Sequence, residues 1–194
     1  LQQAVGLRPE PDIPVVACIS RLVGHKGFGM VTDALSQIMD LNVQMVVLGT
    51  GNWQFEEAFR NAQAQYPGRF PAQIAYSASL STMIYAGADI FLMPSVSEPC
   101  GLSQMIAMRY GCIPIVRATG GLKDTVQHFD GKNGTGFVFE HYDCNGLLWA
   151  VGQAMEAWQD KDKMNTPIRN AMTQDFSFAV SAEAYADLFL EMIQ

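Results

Sequence analysis

The residues that could do chemistry in this chain recur in short glycine-bearing segments, each directly after an apolar run. The most telling is Ser97-Glu98-Pro99-Cys100-Gly101-Leu102-Ser103-Gln104, which follows Ile90-Phe91-Leu92-Met93-Pro94 and precedes a helical pattern running to Tyr110. A lone carboxylate thus stands at a strand-to-helix turn, where backbone N–H groups attract anions. Glu98 could hydrogen-bond sugar hydroxyls or stabilise positive charge developing on a sugar ring. The N–H groups of Gly101 to Ser103, with the Ser103 hydroxyl, could hold a phosphate. Sugar-nucleotide chemistry is the implication. Electrostatic capping of a helix start, worth about 0.3–1 kcal/mol, is the plainer reading of the same carboxylate.

Other segments repeat the arrangement. In Ser20-Arg21-Leu22-Val23-Gly24-His25-Lys26-Gly27 two cations share a loop with two glycines. Arg21 offers a planar fork and Lys26 a point charge, both suited to phosphate oxygens. The order is not that of a Walker A loop, and two solvated charges in a turn would look the same. Gly49-Thr50-Gly51-Asn52 fails as GxGxxG because Gln54 stands where the third glycine belongs. A tight turn accounts for it, although its place leaves a ligand-facing loop open. Tyr76 could stack on a base or cap the core. Ala118-Thr119-Gly120-Gly121 could cradle an anion or a sugar, or simply turn the chain. Helix capping explains one carboxylate; it does not explain why cationic and glycine loops recur after several strands.

These loops need a scaffold, and the chain supplies one. Apolar runs at Pro14–Ser20, Val43–Leu48, Ala72–Tyr76, Asp89–Met93, Ile113–Val116 and Gly136–Phe139 read as six strands. Helical spacing fills the gaps: Phe28–Met39, Trp53–Gln65, Leu80–Ala86, Leu102–Arg109 and a short start at Leu122–Val126. Continuous apolar strands alternating with amphipathic helices predict an α/β fold, a doubly wound Rossmann-like parallel sheet covered on both faces. Such sheets bind ligands outside the carboxyl ends of their strands, where the candidate loops lie. Helical patterns at Asn145–Trp158, Lys161–Met172 and Ala179–Met192 follow with no further strand signal. The expected division is a nucleotide-sugar-binding domain over 1–145 and a helical tail over 146–194.

Composition narrows the function. The 194 residues fit one domain, and 49% hydrophobic residues suffice for a full core. Only 16% are charged, below the roughly 25% usual for soluble domains, so part of the surface is neutral or covered by something else. A formal charge of −7 argues against a general nucleic-acid or membrane-surface role. Cys18, Cys100, Cys112 and Cys144 form no CxxC pair, and Cys18 and Cys112 read as small buried hydrophobes in a reducing, cytoplasmic compartment. His25, His128 and His141 lack ligand spacing, and no GxSxG is present. Neither metal nor cofactor is expected. The start, Leu1-Gln2-Gln3, reads as a fragment boundary.

Taken together, Ser20-Arg21-Leu22 with Lys26-Gly27, Leu48-Gly49-Thr50-Gly51, Gly87 to Ser95, Glu98-Pro99-Cys100-Gly101-Leu102, Thr119-Gly120-Gly121-Leu122 and Gly134-Thr135-Gly136-Phe137 resemble the carboxyl-terminal half of glycogen and starch synthases. The resemblance runs from about Ile13 to the tail. It implies one half of a GT-B fold that binds a nucleotide-sugar donor, ADP-glucose in the bacterial members, and extends an α-1,4-glucan with retention. Arg21 and Lys26 would hold the donor diphosphate and Glu98 would lie beside the donor sugar. Cys100, Gly101, Leu102 and Ser103 would form the phosphate-holding helix start, with Tyr76 stacking on the adenine. The Gly49-Thr50-Gly51 and Thr119-Gly120 turns would line the donor cleft. Asn52 stands where the family often has Asp, Ser103 replaces a frequent Thr, and Arg117-Ala118 replaces a pair of basic residues. The amino-terminal domain and its acceptor groove lie outside this sequence, so the tail would pack towards that domain and the isolated chain would bind nucleotide without turnover. A GT-B enzyme with a UDP-sugar donor and a noncatalytic nucleotide-binding module are the alternatives.

Overall fold

A computed structural model describes residues 1–193. Six parallel strands form one sheet in the order β3-β2-β1-β4-β5-β6. They are β1 (Val15–Ile19), β2 (Gln44–Leu48), β3 (Ala72–Gln73), β4 (Ile90–Met93), β5 (Ile113–Arg117) and β6 (Phe137–Phe139). Central β1 pairs with β2 from Val15↔Gln44 to Ile19↔Leu48 and with β4 at Val16↔Ile90 and Ala17↔Phe91. Its side chains are buried from Val15 to Cys18, which is why its sequence is continuously apolar rather than alternating. The strand order reverses between β1 and β4, so the loops after them diverge from one crevice.

Helices α1 (Gln2–Val5), α2 (Phe28–Asp33), α3 (Leu35–Met39), α4 (Trp53–Gln65), α5 (Ala78–Gly87), α6 (Ser103–Tyr110), α7 (Gly120–Thr125), α8 (Cys144–Gln159), α9 (Lys161–Met172) and α10 (Phe178–Met192) surround the sheet. One core joins them. Phe28 packs edge-on against Phe59 at 5.6 Å between ring centroids, tying α2 to α4, and Leu147, Ala150, Val151 and Ala154 bury the inner face of α8.

Several boundaries differ from the sequence reading. The single helix expected over Phe28–Met39 divides at Ala34, where ψ falls to 0°; the Thr32 hydroxyl donates to the Gly29 carbonyl at 2.7 Å, competing with the regular turn. The third strand stops at Gln73 because the Ala75 N–H turns back to the Gln73 carbonyl at 2.9 Å. Tyr76 therefore lies past the strand, in the turn before α5. The short α1 was not anticipated. The expected division at 145/146 falls inside the first turn of α8, which Asp143 caps through Gly146 N–H at 2.7 Å. Helices α8 and α9 pack on the sheet domain, whereas α10 buries none of its residues.

Candidate functional site

The crevice between β1 and β4 brings together two segments distant in sequence. The β1 loop forms a 3-10 turn over Gly24–Lys26, closed by Gly27 at φ +82°. A Cβ on Gly27 would lie 2.0 Å from the Pro94 carbonyl oxygen, so only glycine lets this loop seat on the end of β4. Val96 N–H donates to the His25 carbonyl at 2.9 Å, stitching the loops together. The result sets Lys26 Nζ 2.5 Å from Glu98 Oε2. Ser95 Oγ donates to the same oxygen at 3.3 Å. Glu98 is 8% exposed, and its Oε1 has no hydrogen-bond partner among the described residues.

Hydrogen bonds from three residues, Gly121, Arg117 and Gln104, fix the Glu98 turn from behind. Gly121 N–H donates to the Glu98 carbonyl at 3.0 Å. A Cβ on Gly120, at φ +44°, would lie 2.1 Å from that carbonyl oxygen, and one on Gly121 would lie 2.0 Å from the Cys100 carbonyl oxygen. The paired glycines after Thr119 thus close on the protein's own backbone, and much of what read as a cradle is a support. Arg117 Nε donates to the Ser95 carbonyl at 2.9 Å and its second nitrogen to Val96 O. Gln104, fully buried, donates from Nε2 to the Gly101 carbonyl at 2.9 Å and to Thr125 Oγ1 at 3.1 Å. Sequence reasoning gave Gln104 no role, and its glutamine type alone carries no signal of the fastening it makes.

In front of that turn, α6 begins without a side-chain cap at Leu102. Its first N–H groups are the unsatisfied donors that every helix start leaves, and they carry the positive end of the helix dipole. Ser103 opens the helix and lines a cavity of about 280 Å³ together with Arg21, Gly49, Thr50, Tyr76 and Ser77. Arg21 is exposed and makes no ion pair among the described residues. Tyr76 is 93% exposed at the rim, so it does not cap the core. Gly49 and Gly51 are needed for close approach: their Cβ atoms would meet Ser20 O at 1.9 Å and Leu22 O at 2.3 Å. Gly51 N–H is itself taken by Glu56 Oε1 at 3.0 Å, so Gly51 shapes the loop and does not face the cavity.

Cys100 is exposed beside this site, and Leu102 points to the far side of α6. There it lines a larger groove of about 640 Å³ with Met105, Ile106, Arg109 and Phe176. No glycine lines that groove. The smaller cavity is the better candidate because Arg21, which has no ion pair among the described residues, and the uncapped start of α6 meet in it; Lys26 and Glu98 do not line it and pair between the β1 and β4 loops. No three His, Cys, Asp or Glu side chains among the described residues could hold a metal ion. No helix among them is long and apolar enough to cross a membrane.

Residues 4–172 match the family described as glycosyl transferases group 1. The chain belongs to that family. Among similar group 1 glycosyl transferases, the glycogen synthase of Anoxybacillus flavithermus is 46% identical over the whole of this chain and 40% of its own length. That of an Anaeromyxobacter strain is 47% identical over 97% of this chain and 40% of its own. The chain thus spans about two fifths of these relatives. The catalytic domain of starch synthase IV from Arabidopsis thaliana, solved bound to ADP and acarbose, is 36% identical with a TM-score of 0.87, covering 98% of this chain and 41% of that one. A sucrose-phosphate synthase from Thermosynechococcus elongatus shares the fold at 22% identity and a TM-score of 0.70 over 95% of this chain and 47% of that one. The Rossmann-like sheet is therefore one half of a GT-B glycosyltransferase architecture.

Proposed function

We propose that this chain is the donor-nucleotide-binding domain of a glycogen synthase. The whole enzyme would transfer glucose from ADP-glucose to the non-reducing end of an α-1,4-glucan with retention. The observation that carries the reading is that Arg21 and the uncapped start of α6 meet at one cavity, with the Lys26–Glu98 pair held between the β1 and β4 loops. Breaking the bond between glucose and the diphosphate places negative charge on the leaving phosphate. Arg21, Lys26 and the Ser103 end of α6 would stabilise that charge without a metal. Glu98 would face the sugar through its free Oε1, and Tyr76 would stack on the adenine. Gly101 and Thr50 would lie against the phosphates and ribose with Gly49, and Thr119 and Gly120 would complete the sugar side.

The same reading covers the tail. Helix α10 exposes Phe178, Tyr185 and Phe189 and buries none of its own residues. An amphipathic helix is stable when its apolar face is covered, and the amino-terminal domain of the same enzyme is the proposed cover. The acceptor glucan would bind across that second domain, and the enzyme would work in the cytoplasm.

Calorimetric titration with ADP-glucose, UDP-glucose and glucose tests the reading. ADP-glucose is expected to bind well above UDP-glucose, with free glucose undetected. Equal binding of the two nucleotide sugars, or none of either, would overturn it.

A further inference from the structure

The last strand and α8 enclose a groove that the donor site does not use. It measures about 690 Å³ and lies over Val138 and Phe139, a volume typical of ligand sites. Its dominant feature is Trp149 on α8, 50% exposed. The indole stacks on His128, with ring centroids 5.4 Å apart and planes 19° apart. His128 is itself held, since its Nδ1 accepts the Val138 N–H at 3.1 Å. With Nδ1 accepting, Nε2–H is the donor this ring can offer to a ligand. The two rings therefore form an oriented platform. His141, which shows no ligand spacing to His128 in sequence, lines the same groove.

We propose that this groove is a second saccharide-binding site, taking a segment of α-1,4-glucan on the Trp149 ring. Glucan as the ligand rests on the glycogen-synthase reading above. Its chemistry is argued from the groove. A pyranose has one apolar C–H face and a rim of hydroxyls; a rigid amphipathic ring covers the first at little entropy cost. The rim of the groove supplies both donors and acceptors: Lys123, Glu140, His141 and Asn145. Charge selects against the other ligand of this protein. One lysine faces two carboxylates, Glu140 and Asp143, so a diphosphate gains nothing there, whereas a neutral polyol can use every partner. Asp143 already accepts the Gly146 N–H.

Position gives the site a purpose. Helix α7 has six residues, a length of about 9 Å. Its first turn supports Glu98 through Gly121, and Lys123 near its other end lines the groove. A glucan anchored on Trp149 is thus held within one short helix of the donor crevice, raising the effective concentration of its free end.

The test titrates the chain with maltoheptaose and, separately, with ADP. Wild type is expected to bind both. Trp149→Ala should weaken maltoheptaose at least tenfold and leave ADP within twofold, Trp149→Phe should fall between, and Tyr76→Ala should show the opposite pattern. Unchanged maltoheptaose affinity in Trp149→Ala, or equal binding of the β-linked cellohexaose, overturns the site. Binding of ADP without maltoheptaose at millimolar concentration overturns this site alone. Maltoheptaose binding through Trp149 without ADP binding supports the site and overturns the donor reading instead.

Discussion

Lys26 and Glu98, seventy-two residues apart in the chain, meet at 2.5 Å in the crevice between β1 and β4. Neither side chain is more than 18% exposed. Each therefore compensates the other's desolvation, and removing one leaves a charge with too few partners. In the proposed enzyme Lys26 would exchange this carboxylate for the donor phosphate, and Glu98 would then be free to face the sugar.

Lys26→Ala should accordingly destabilise the fold by about 3 kcal/mol, the usual range for breaking such a pair. Glu98→Gln keeps a hydrogen-bonding group in place and should cost less. The double variant should recover part of the Lys26→Ala loss, because it no longer buries an unpaired carboxylate. Urea unfolding of the four proteins reads this directly. Additive losses would show that the pair is not coupled.

Arg21 and Tyr76 make the contrasting case. Both are exposed and support no packing, so alanine at either should change stability by less than about 0.5 kcal/mol. Their effect should appear in ligand binding. Loss of base stacking at Tyr76 is expected to weaken ADP by about 1–3 kcal/mol. Loss of the Arg21 guanidinium should weaken ADP by a similar amount but leave adenosine nearly unaffected. Calorimetry with both ligands separates the two; equal losses of adenosine would remove Arg21 from the phosphate.

Glycine substitutions test the support behind Glu98. Gly120→Ala places a Cβ 2.1 Å from the Glu98 carbonyl oxygen at a positive φ, whereas Gly152 in α8 has nothing within 4 Å. The first should displace the Glu98 turn and abolish ADP binding. The second should stabilise the protein by up to about 1 kcal/mol through helix propensity. Thermal unfolding with and without ADP distinguishes them, and a Gly120→Ala protein that binds ADP normally would show that the turn tolerates the shift.

How far the sequence carries follows from what buries each element. Strands β1, β2, β4 and β5 lie inside the sheet, so their apolar runs are unbroken and their positions were legible. The Trp53–Gln65 helix was legible to the residue, because Phe55, Phe59 and Ala62 bury one face and Pro67-Gly68 ends the pattern. The recurrence of glycine loops after strands located the crevice. The fastenings did not show. Arg117 acts through the Ser95 and Val96 carbonyls, and Gln104 through the nearby Gly101 carbonyl and the Thr125 hydroxyl; a carbonyl carries no residue-type signature. His128 and His141 share a groove only because the chain after α7 runs alongside β6, bridging His128 to Gly136. The placement of Tyr76 turned on one local bond, Ala75 to Gln73.

Asp89 supplies a pH test remote from the ligand. It lies just before β4, where its Oδ2 accepts the Val15 N–H at 2.8 Å. Burial pushes its carboxyl above the ordinary 3.8, only partly offset by the Val15 N–H and the Trp158 indole. In the window between the unfolded and folded values the folded state binds more protons, so unfolding free energy falls as pH rises. The contribution of protonated Asp89 is full below the ordinary aspartate value and is lost as pH climbs through the raised one. Asp89→Asn keeps an acceptor for Val15 and removes the titration. Its stability relative to wild type should therefore be higher at pH 7 than at pH 4. Parallel stability curves for the two proteins across that range would mean that Asp89 ionises in the fold as freely as in the unfolded chain.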